Sequence, residues 1–258
     1  MRILTLFDFA SNKKIVTFAF YKPSCMRYIL LLAFIPIFII ALYIYKRDKF
    51  KKEPFKELLK AFAAGMCSAV VVLLVHDILD LSGINLESNV FLRAFVSAAI
   101  IEECVKFFFF YKFFWNNPCF DERFDGIIYA AYVSLGFAFV ENVLYIYQDV
   151  SQAARIAYAR AFFAVPAHTL FAIAMGYGAG LAKFSRKRST FYLVCGLIWA
   201  IILHGIYDFL LMFSEELAAV NESFSAFIVM IFYIFVAVMW FAGFKRMKRL
   251  SEEDEWRL

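Results

Sequence analysis

The sequence predicts an all-α protein, a polytopic bundle of about seven transmembrane helices, from three observations. Hydrophobic residues make up 64% of the 258-residue chain, whereas a soluble globular protein is about 45–50% apolar. Seven apolar stretches each approach or exceed the roughly 20 residues that a helix needs to cross about 30 Å of hydrocarbon. The segments that connect them are short and polar, so we expect one integral membrane domain without a separate soluble domain.

The seven stretches are interpreted as helices because a lone strand in lipid would leave its backbone polar groups unpaired. They cover residues 28–45, 58–80, 91–115, 126–147, 160–183, 190–213 and 224–244. Residues 26–245 are expected to form the membrane domain, and residues 246–258 to form a charged cytoplasmic tail.

Residues 1–25 differ from the rest because Asp8, Lys13 and Lys14 interrupt their apolar run. Three interpretations stay open: an interfacial helix, a partly inserted eighth segment, or an extension translated from a start codon upstream of Met26. The segment is not typical of a cleaved signal peptide, since no small-residue cleavage site follows it.

The distribution of lysine and arginine predicts the orientation of the bundle. The basic segments KRDKFKK, KFSRKR and KRMKR follow the first, fifth and seventh spans, whereas acidic or neutral segments follow the second and sixth. Because loops rich in lysine and arginine stay in the cytoplasm, the C-terminus is predicted to be cytoplasmic. The net charge of +5 reflects these loops, and we expect no nucleic-acid partner.

Four successive spans also carry ionisable or amide side chains. A charge at the bilayer centre costs at least about 2.5–3.5 kcal/mol, so such residues face the interior of a bundle and usually have a function. At a rise of about 1.5 Å per residue, the acids and histidines of the four spans reach a common layer in the outer half of the membrane. The residues are Glu102, Glu103 and Lys106 in the third span, Glu141 and Asn142 in the fourth, His168 in the fifth, and His204 with Asp208 in the sixth.

This layer has the chemistry of a catalytic metal centre. Glu141, His168 and His204 are residue types that bind catalytic zinc while one position is left for water. Asp208, four residues after His204, is either a further ligand or a carboxylate that orients the imidazole. The pattern therefore predicts a bound metal ion, with zinc favoured.

The two glutamates of the third span are the predicted catalytic residues. Glu102 and Glu103 point about 100° apart on their helix, so one can activate water while the other hydrogen-bonds around it. Lys106 lies four residues after Glu102 and three after Glu103, close enough to neutralise a carboxylate. Without such a partner, burial would favour the protonated form of a glutamate.

Two other function classes compete with hydrolysis. The buried Glu, His and Lys side chains also suit an ion- or proton-coupled carrier, although the chain lacks the paired, interrupted repeats that are common in carriers. They also suit a non-catalytic membrane scaffold in which polar side chains hold the helices together. A single Glu–Lys pair would favour such a structural role, whereas the joint pattern on four spans favours a site.

The motifs resemble those of the PrsW family of intramembrane proteases, within the superfamily that includes the CAAX prenyl endopeptidases and bacteriocin-processing relatives. The matching segments are EECVK at 102–106, Phe137 to Glu141 with Asn142, His168, and His204 to Asp208. The loop DKFKKEP after the first span and Arg160 are also similar to family features. The resemblance covers about residues 26–245 and makes Met26 a natural start. The CAAX branch carries a histidine where this chain has Glu141.

The resemblance implies an endopeptidase of the bacterial cytoplasmic membrane. Its substrate would be a single-span membrane protein of the anti-sigma-factor type, cleaved near the extracytoplasmic side to release a stress response. A metal ion would polarise the scissile carbonyl while Glu102 or Glu103 takes a proton from water, with Glu102 favoured because of its spacing to Lys106. A metal-free variant, in which His and Asn side chains support the oxyanion, stays open. Membrane lipids are the other expected partners.

Overall fold

The computed structural model describes residues 23–253, with side chains from 26 to 252. The interpretations of residues 1–25 fall almost wholly outside this range. The described chain forms seven helices and contains no strand, which confirms the predicted all-α polytopic bundle. We number them α1 Pro23–Arg47; α2 Phe55–Leu81; α3, which is π-helical over Leu92–Ile100 and α-helical over Ile101–Phe114; α4 Arg123–Gln148; α5, formed by Ala153–Ala159, the π-helical turn Arg160–Ala164 and Val165–Lys183; α6 Ser189–Ala218; and α7 Glu222–Glu253.

Six of the described helices are long and apolar enough to cross a membrane, namely all except α3. Helix α3 is long enough, but it carries five charged residues between Leu92 and Phe114, and this number of charges keeps it out of the group. Because three of these charges are the buried residues Glu102, Glu103 and Lys106, α3 can span while its ionisable side chains face protein.

The helix ends follow local sequence signals. At the start of α4, the Glu122 and Asp125 side chains each bind the other residue's backbone N–H, which forms a reciprocal capping box. Helix α7 continues past the apolar run to Glu253, because lysine, arginine and glutamate are good helix formers. Part of the predicted tail is therefore helical.

Helix α4 and the Val165–Lys183 part of α5 form the centre of the bundle. Both are mostly buried, whereas α1 and α7 are mostly exposed. Glycines permit this close approach: a Cβ on Gly126 would lie 2.5 Å from the Gly176 carbonyl oxygen, and one on Gly65 would lie 1.8 Å from that of Val133. Small residues at such crossings let membrane helices approach closely. Gly176 is the first glycine of the segment GYGAG at 176–180, and its lack of a side chain makes this crossing possible.

Candidate active site

Helices α3, α4, α5 and α6 bring the predicted site residues into one connected network of hydrogen bonds and ion pairs. The network includes every ionisable and amide residue predicted for the site: Glu102, Glu103, Lys106, Glu141, Asn142, Arg160, His168, His204 and Asp208. The two π-helical segments of the described chain lie directly before Glu102 and at Arg160. Such segments are frequent at functional sites because they shift the direction of the side chains that follow.

Lys106 is the centre of this network. Its Nζ lies 2.8 Å from Glu103 Oε1, 3.1 Å from Glu102 Oε2 and 3.3 Å from His168 Nδ1. The side chain is only 2% exposed, and its Nζ lies 3.9 Å from the centroid of the Phe137 ring. A buried ammonium group therefore joins the two predicted catalytic acids to one predicted metal ligand.

The contacts of His168 indicate its tautomer. A lysine ammonium has donors only, so His168 Nδ1 accepts from Lys106 and we infer that Nε2 carries the hydrogen. Nε2 then donates to Glu141 Oε2 across 2.7 Å. Glu141 also accepts from Arg160 Nη2 at 2.6 Å, and Arg160 Nε donates to Asn142 Oδ1 at 2.5 Å. Arg160 thus holds the carboxylate that orients the imidazole.

His204 lies between two carboxylates. Its Nδ1 is 2.9 Å from Glu103 Oε1, and its Nε2 is 3.1 Å from Asp208 Oδ2. The ring of Phe171 stacks on the imidazole at a centroid distance of 4.6 Å. In this arrangement both ring nitrogens of His204 face carboxylates, and the imidazole holds Glu103 in place.

The site includes a donor set that fits a divalent cation. Glu102, Glu103 and His168 each offer a ligand atom, and these atoms lie within 4.8 Å of one another. Glu103 Oε2 is buried and has no hydrogen-bond partner within the described chain. Two carboxylates and one imidazole leave a position for water, as in catalytic zinc sites. Lys106 contacts the same three residues, so its ammonium group and a metal ion would compete for them.

The structure therefore brings together a different set of possible metal ligands from the set that the sequence predicted. The predicted ligand set was Glu141, His168, His204 and Asp208, whereas the closest donor group joins His168 to Glu102 and Glu103. All these side chains share one network, and their individual roles stay predictions.

Two aromatic contacts had not been predicted: Phe171 on His204, and Tyr145, whose ring centroid lies 4.3 Å from the Arg160 guanidinium carbon. Phe171 follows His168 by three residues and Tyr145 follows Glu141 by four, so helical spacing could have predicted that these rings lie near the site.

The family-like loop DKFKKEP lies apart from this site. Glu53 is buried, accepts a hydrogen bond from the Tyr129 hydroxyl, and its backbone N–H donates to Asp48 Oδ2 across 3.2 Å. Burial, together with the nearby Asp48 and Asp121 carboxylates, raises the pKa of the Glu53 carboxyl to about 7. The loop between α1 and α2 is thus fastened to α4 by a buried acid.

Comparison with known proteins identifies the family. The family model described as "PrsW family intramembrane metalloprotease" matches residues 53–240. The chain belongs to the PrsW family. This range includes every residue of the candidate site, and membership supports an intramembrane protease over the carrier and scaffold alternatives.

Curated PrsW relatives match most of the chain. It is 34% identical to "Protease PrsW" of Geobacillus kaustophilus over 207 residues, which covers 80% of this chain and 85% of the relative. The same name is given to relatives from Clostridioides difficile, at 30% identity with 87% and 92% coverage, and Oceanobacillus iheyensis, at 33% identity with 84% and 93% coverage. No solved structure matches the chain.

Proposed function

We propose that this PrsW-family protein hydrolyses a peptide bond of a membrane-bound protein with Glu103 as the general base. One observation carries the assignment: Glu103 Oε1 is held by Lys106 and His204, while Oε2 is buried and has no partner within the described residues. A carboxylate held at one oxygen and free at the other is positioned to accept a proton from water. The sequence instead favoured Glu102 for this role. The Oε2 atom of Glu102 also contacts Lys106.

The reaction follows from these positions. Water would lose a proton to Glu103 Oε2 as its oxygen bonds to the scissile carbonyl carbon. The same proton then passes to the leaving amide nitrogen as the C–N bond breaks. The Lys106 ammonium group, within 3.3 Å of both glutamates and His168, offsets negative charge that develops in a water-poor site.

A metal ion, zinc being favoured, would be held by Glu102, His168 and one oxygen of Glu103 in place of their contacts with Lys106, which would leave the other oxygen of Glu103 for the proton. Bound there, it would supply Lewis-acid polarisation of the scissile carbonyl. The chain's own part is to present the donors: Glu141 orients the His168 ring so that Nδ1 faces the glutamates, and Arg160 orients Glu141.

Elemental analysis of the purified protein tests this proposal. We expect bound metal in the parent protein and its loss in His168→Ala, whereas unchanged content would remove His168 from the ligand set.

Family membership and the depth of the site support the substrate class that we propose. Glu141 lies seven residues from the Gln148 end of α4, about 10 Å along the helix, and the basic loops lie at the opposite membrane face. We therefore propose that a single-span, anti-sigma-factor-like protein is cut near the extracytoplasmic side in the bacterial cytoplasmic membrane. Cleavage would release a stress response.

Cleavage of a single-span test protein in lipid nanodiscs tests the proposed reaction. We expect Glu103→Gln to abolish cleavage, because the amide does not take up the proton, while a matched control, Glu252→Gln on the exposed end of α7, retains it. Mass spectrometry of the fragments should place the cut in the outer half of the substrate span. Cleavage by Glu103→Gln at the parental rate would overturn the assignment, and a cut in the inner half would contradict the proposed depth.

A further inference from the structure

A groove outside the active site runs along α5, α6 and α7. It has a volume of about 430 Å³, and its wall is almost entirely apolar, with residues such as Leu170, Trp199, Leu203 and Phe235. Trp199 is 53% exposed and Val238 is 59% exposed. Because these side chains lie in membrane-spanning helices, the groove opens towards the hydrocarbon of the bilayer.

One end of the groove is cationic. Arg246 is the one charged residue in its wall, and the guanidinium has no acidic partner within the described side chains. Two basic segments lie beside this end, KFSRKR at 183–188 and KRMKR at 245–249, and neither contains an acid. Basic pockets between transmembrane helices at this kind of membrane face bind anionic lipid head groups.

The dimensions of the groove suit an acyl chain. Along α7 it reaches from Phe235 to Arg246, eleven residues or about 16 Å, which is close to half of a hydrocarbon core about 30 Å thick. An extended hydrocarbon chain of this length is narrow enough to lie along the groove.

We propose that this groove is a binding site for an anionic phospholipid, with one acyl chain along α5, α6 and α7 and the phosphate at Arg246. The proposal is independent of the peptidase function, because the groove wall contains none of the ionisable residues of the active site. The lipid would fill a cleft that the packing of α7 leaves open.

Quenching of Trp199 by brominated lipids tests the proposal. The full chain carrying Trp115→Phe, Trp240→Phe and Trp256→Phe retains Trp199 as its single tryptophan. Reconstituted into phosphatidylcholine, it should be half-quenched at a several-fold lower mole fraction of brominated phosphatidylglycerol than of brominated phosphatidylcholine. Arg246→Gln should abolish this preference. The matched control Lys245→Gln, an exposed neighbour outside the groove wall, should keep it.

Other outcomes would overturn the proposal. Equal quenching by the two lipids in the parent, or a preference that survives Arg246→Gln, would contradict the anionic site.

A second variant, Ala242→Phe, places a ring in the groove. It should lower quenching by the anionic lipid without changing the oligomeric state. If light scattering instead shows a dimer that Ala242→Phe dissociates, the groove is an interface between two copies of the chain. If Ala242→Phe weakens retention of a single-span protein and leaves lipid quenching unchanged, the occupant is a protein substrate.

Discussion

At the residue scale, Lys106 determines the electrostatics of the active site. Its ammonium group contacts two buried carboxylates and an imidazole within 3.3 Å. Removing one partner of a buried ion pair costs about 3–5 kcal/mol because the other charge is left without compensation. The lysine thus permits two adjacent glutamates to be buried in the bundle.

We predict that Lys106→Met lowers the stability of the protein by roughly 3–5 kcal/mol and abolishes cleavage. Unfolding of the purified protein in mixed micelles measures the change. Adding Glu102→Gln should restore part of the stability, because one uncompensated carboxylate is removed, but should not restore cleavage. Equal stability of Lys106→Met and the parent would show that the lysine does not compensate these carboxylates.

Arg160 is a positioning residue whose planar guanidinium binds two neighbouring side chains of α4. We predict that Arg160→Lys lowers kcat about 10- to 100-fold with little change in KM, because a lysine cannot reproduce the two-pronged contact with Glu141 and Asn142. Arg155→Lys, an exposed residue of the same helix, is the matched control. In ¹⁵N NMR spectra, the His168 ring should shift towards a tautomer mixture in Arg160→Lys; an unchanged tautomer would contradict the positioning role.

At the scale of elements, the contact between α2 and α4 depends on glycine. Gly65 lies so close to Val133 that an added methyl group would sit 1.8 Å from its carbonyl oxygen, a backbone atom that cannot rotate away. Gly136 of α4 makes the same kind of contact with the Phe62 carbonyl. These two glycines set the separation of the helices.

We predict that Gly65→Ala destabilises the protein by at least about 1–3 kcal/mol, the usual cost of overpacking, and that its unfolding temperature falls. Cys67→Ala, on the exposed side of the same helix, should leave that temperature unchanged. Thermal unfolding in one detergent gives both values. A parental unfolding temperature for Gly65→Ala would mean that α2 and α4 do not approach as closely as described.

The loop between α1 and α2 should make stability depend on pH. The pKa of Glu53 is raised from 4.5 to about 7 by burial, so the folded state binds a proton that the unfolded state has released. Between about pH 4.5 and 7 stability should therefore fall as pH rises, and above pH 7 this contribution becomes constant. Glu53→Gln keeps an acceptor for the Tyr129 hydroxyl and should raise stability at pH 8, because it removes the buried negative charge. Denaturant unfolding of both proteins at pH 5 and pH 8 measures this, with Glu252→Gln as control. A parallel pH dependence in Glu53→Gln and the parent would assign it to another group.

At the scale of the whole molecule, we propose that all seven described helices span, which would place the ends of the domain at opposite faces of the membrane. The basic loops after α1, α5 and α7 share one face, and the segments after α2 and α6 share the other. In the proposed orientation, the site would lie between the middle of the bundle and the second face, and a substrate span would be cut away from the basic face.

We predict that a green fluorescent protein fused after residue 258 is fluorescent in bacterial cells, because that end is expected to stay in the cytoplasm. A fusion truncated after residue 86, in the segment following α2, should be dark there and active with a periplasmic reporter such as alkaline phosphatase. The opposite pattern would invert the orientation and place the active site in the cytoplasmic half.

The sequence by itself determined the seven helices, the family and which polar residues lie inside the bundle. These follow from local properties: apolar length decides what can span, and a fixed rise per residue decides which side chains share a depth. Only the tertiary structure decided which atoms meet: Glu141 with Arg160, His204 between Glu103 and Asp208, and Lys106 among both glutamates and His168. The physical reason is that the position of a residue along its helix gives only the depth of the side chain. Which side chains it contacts depends on how the helices are rotated and how closely they pack. Both are set by long-range contacts such as Gly65 on Val133 and Gly126 on Gly176.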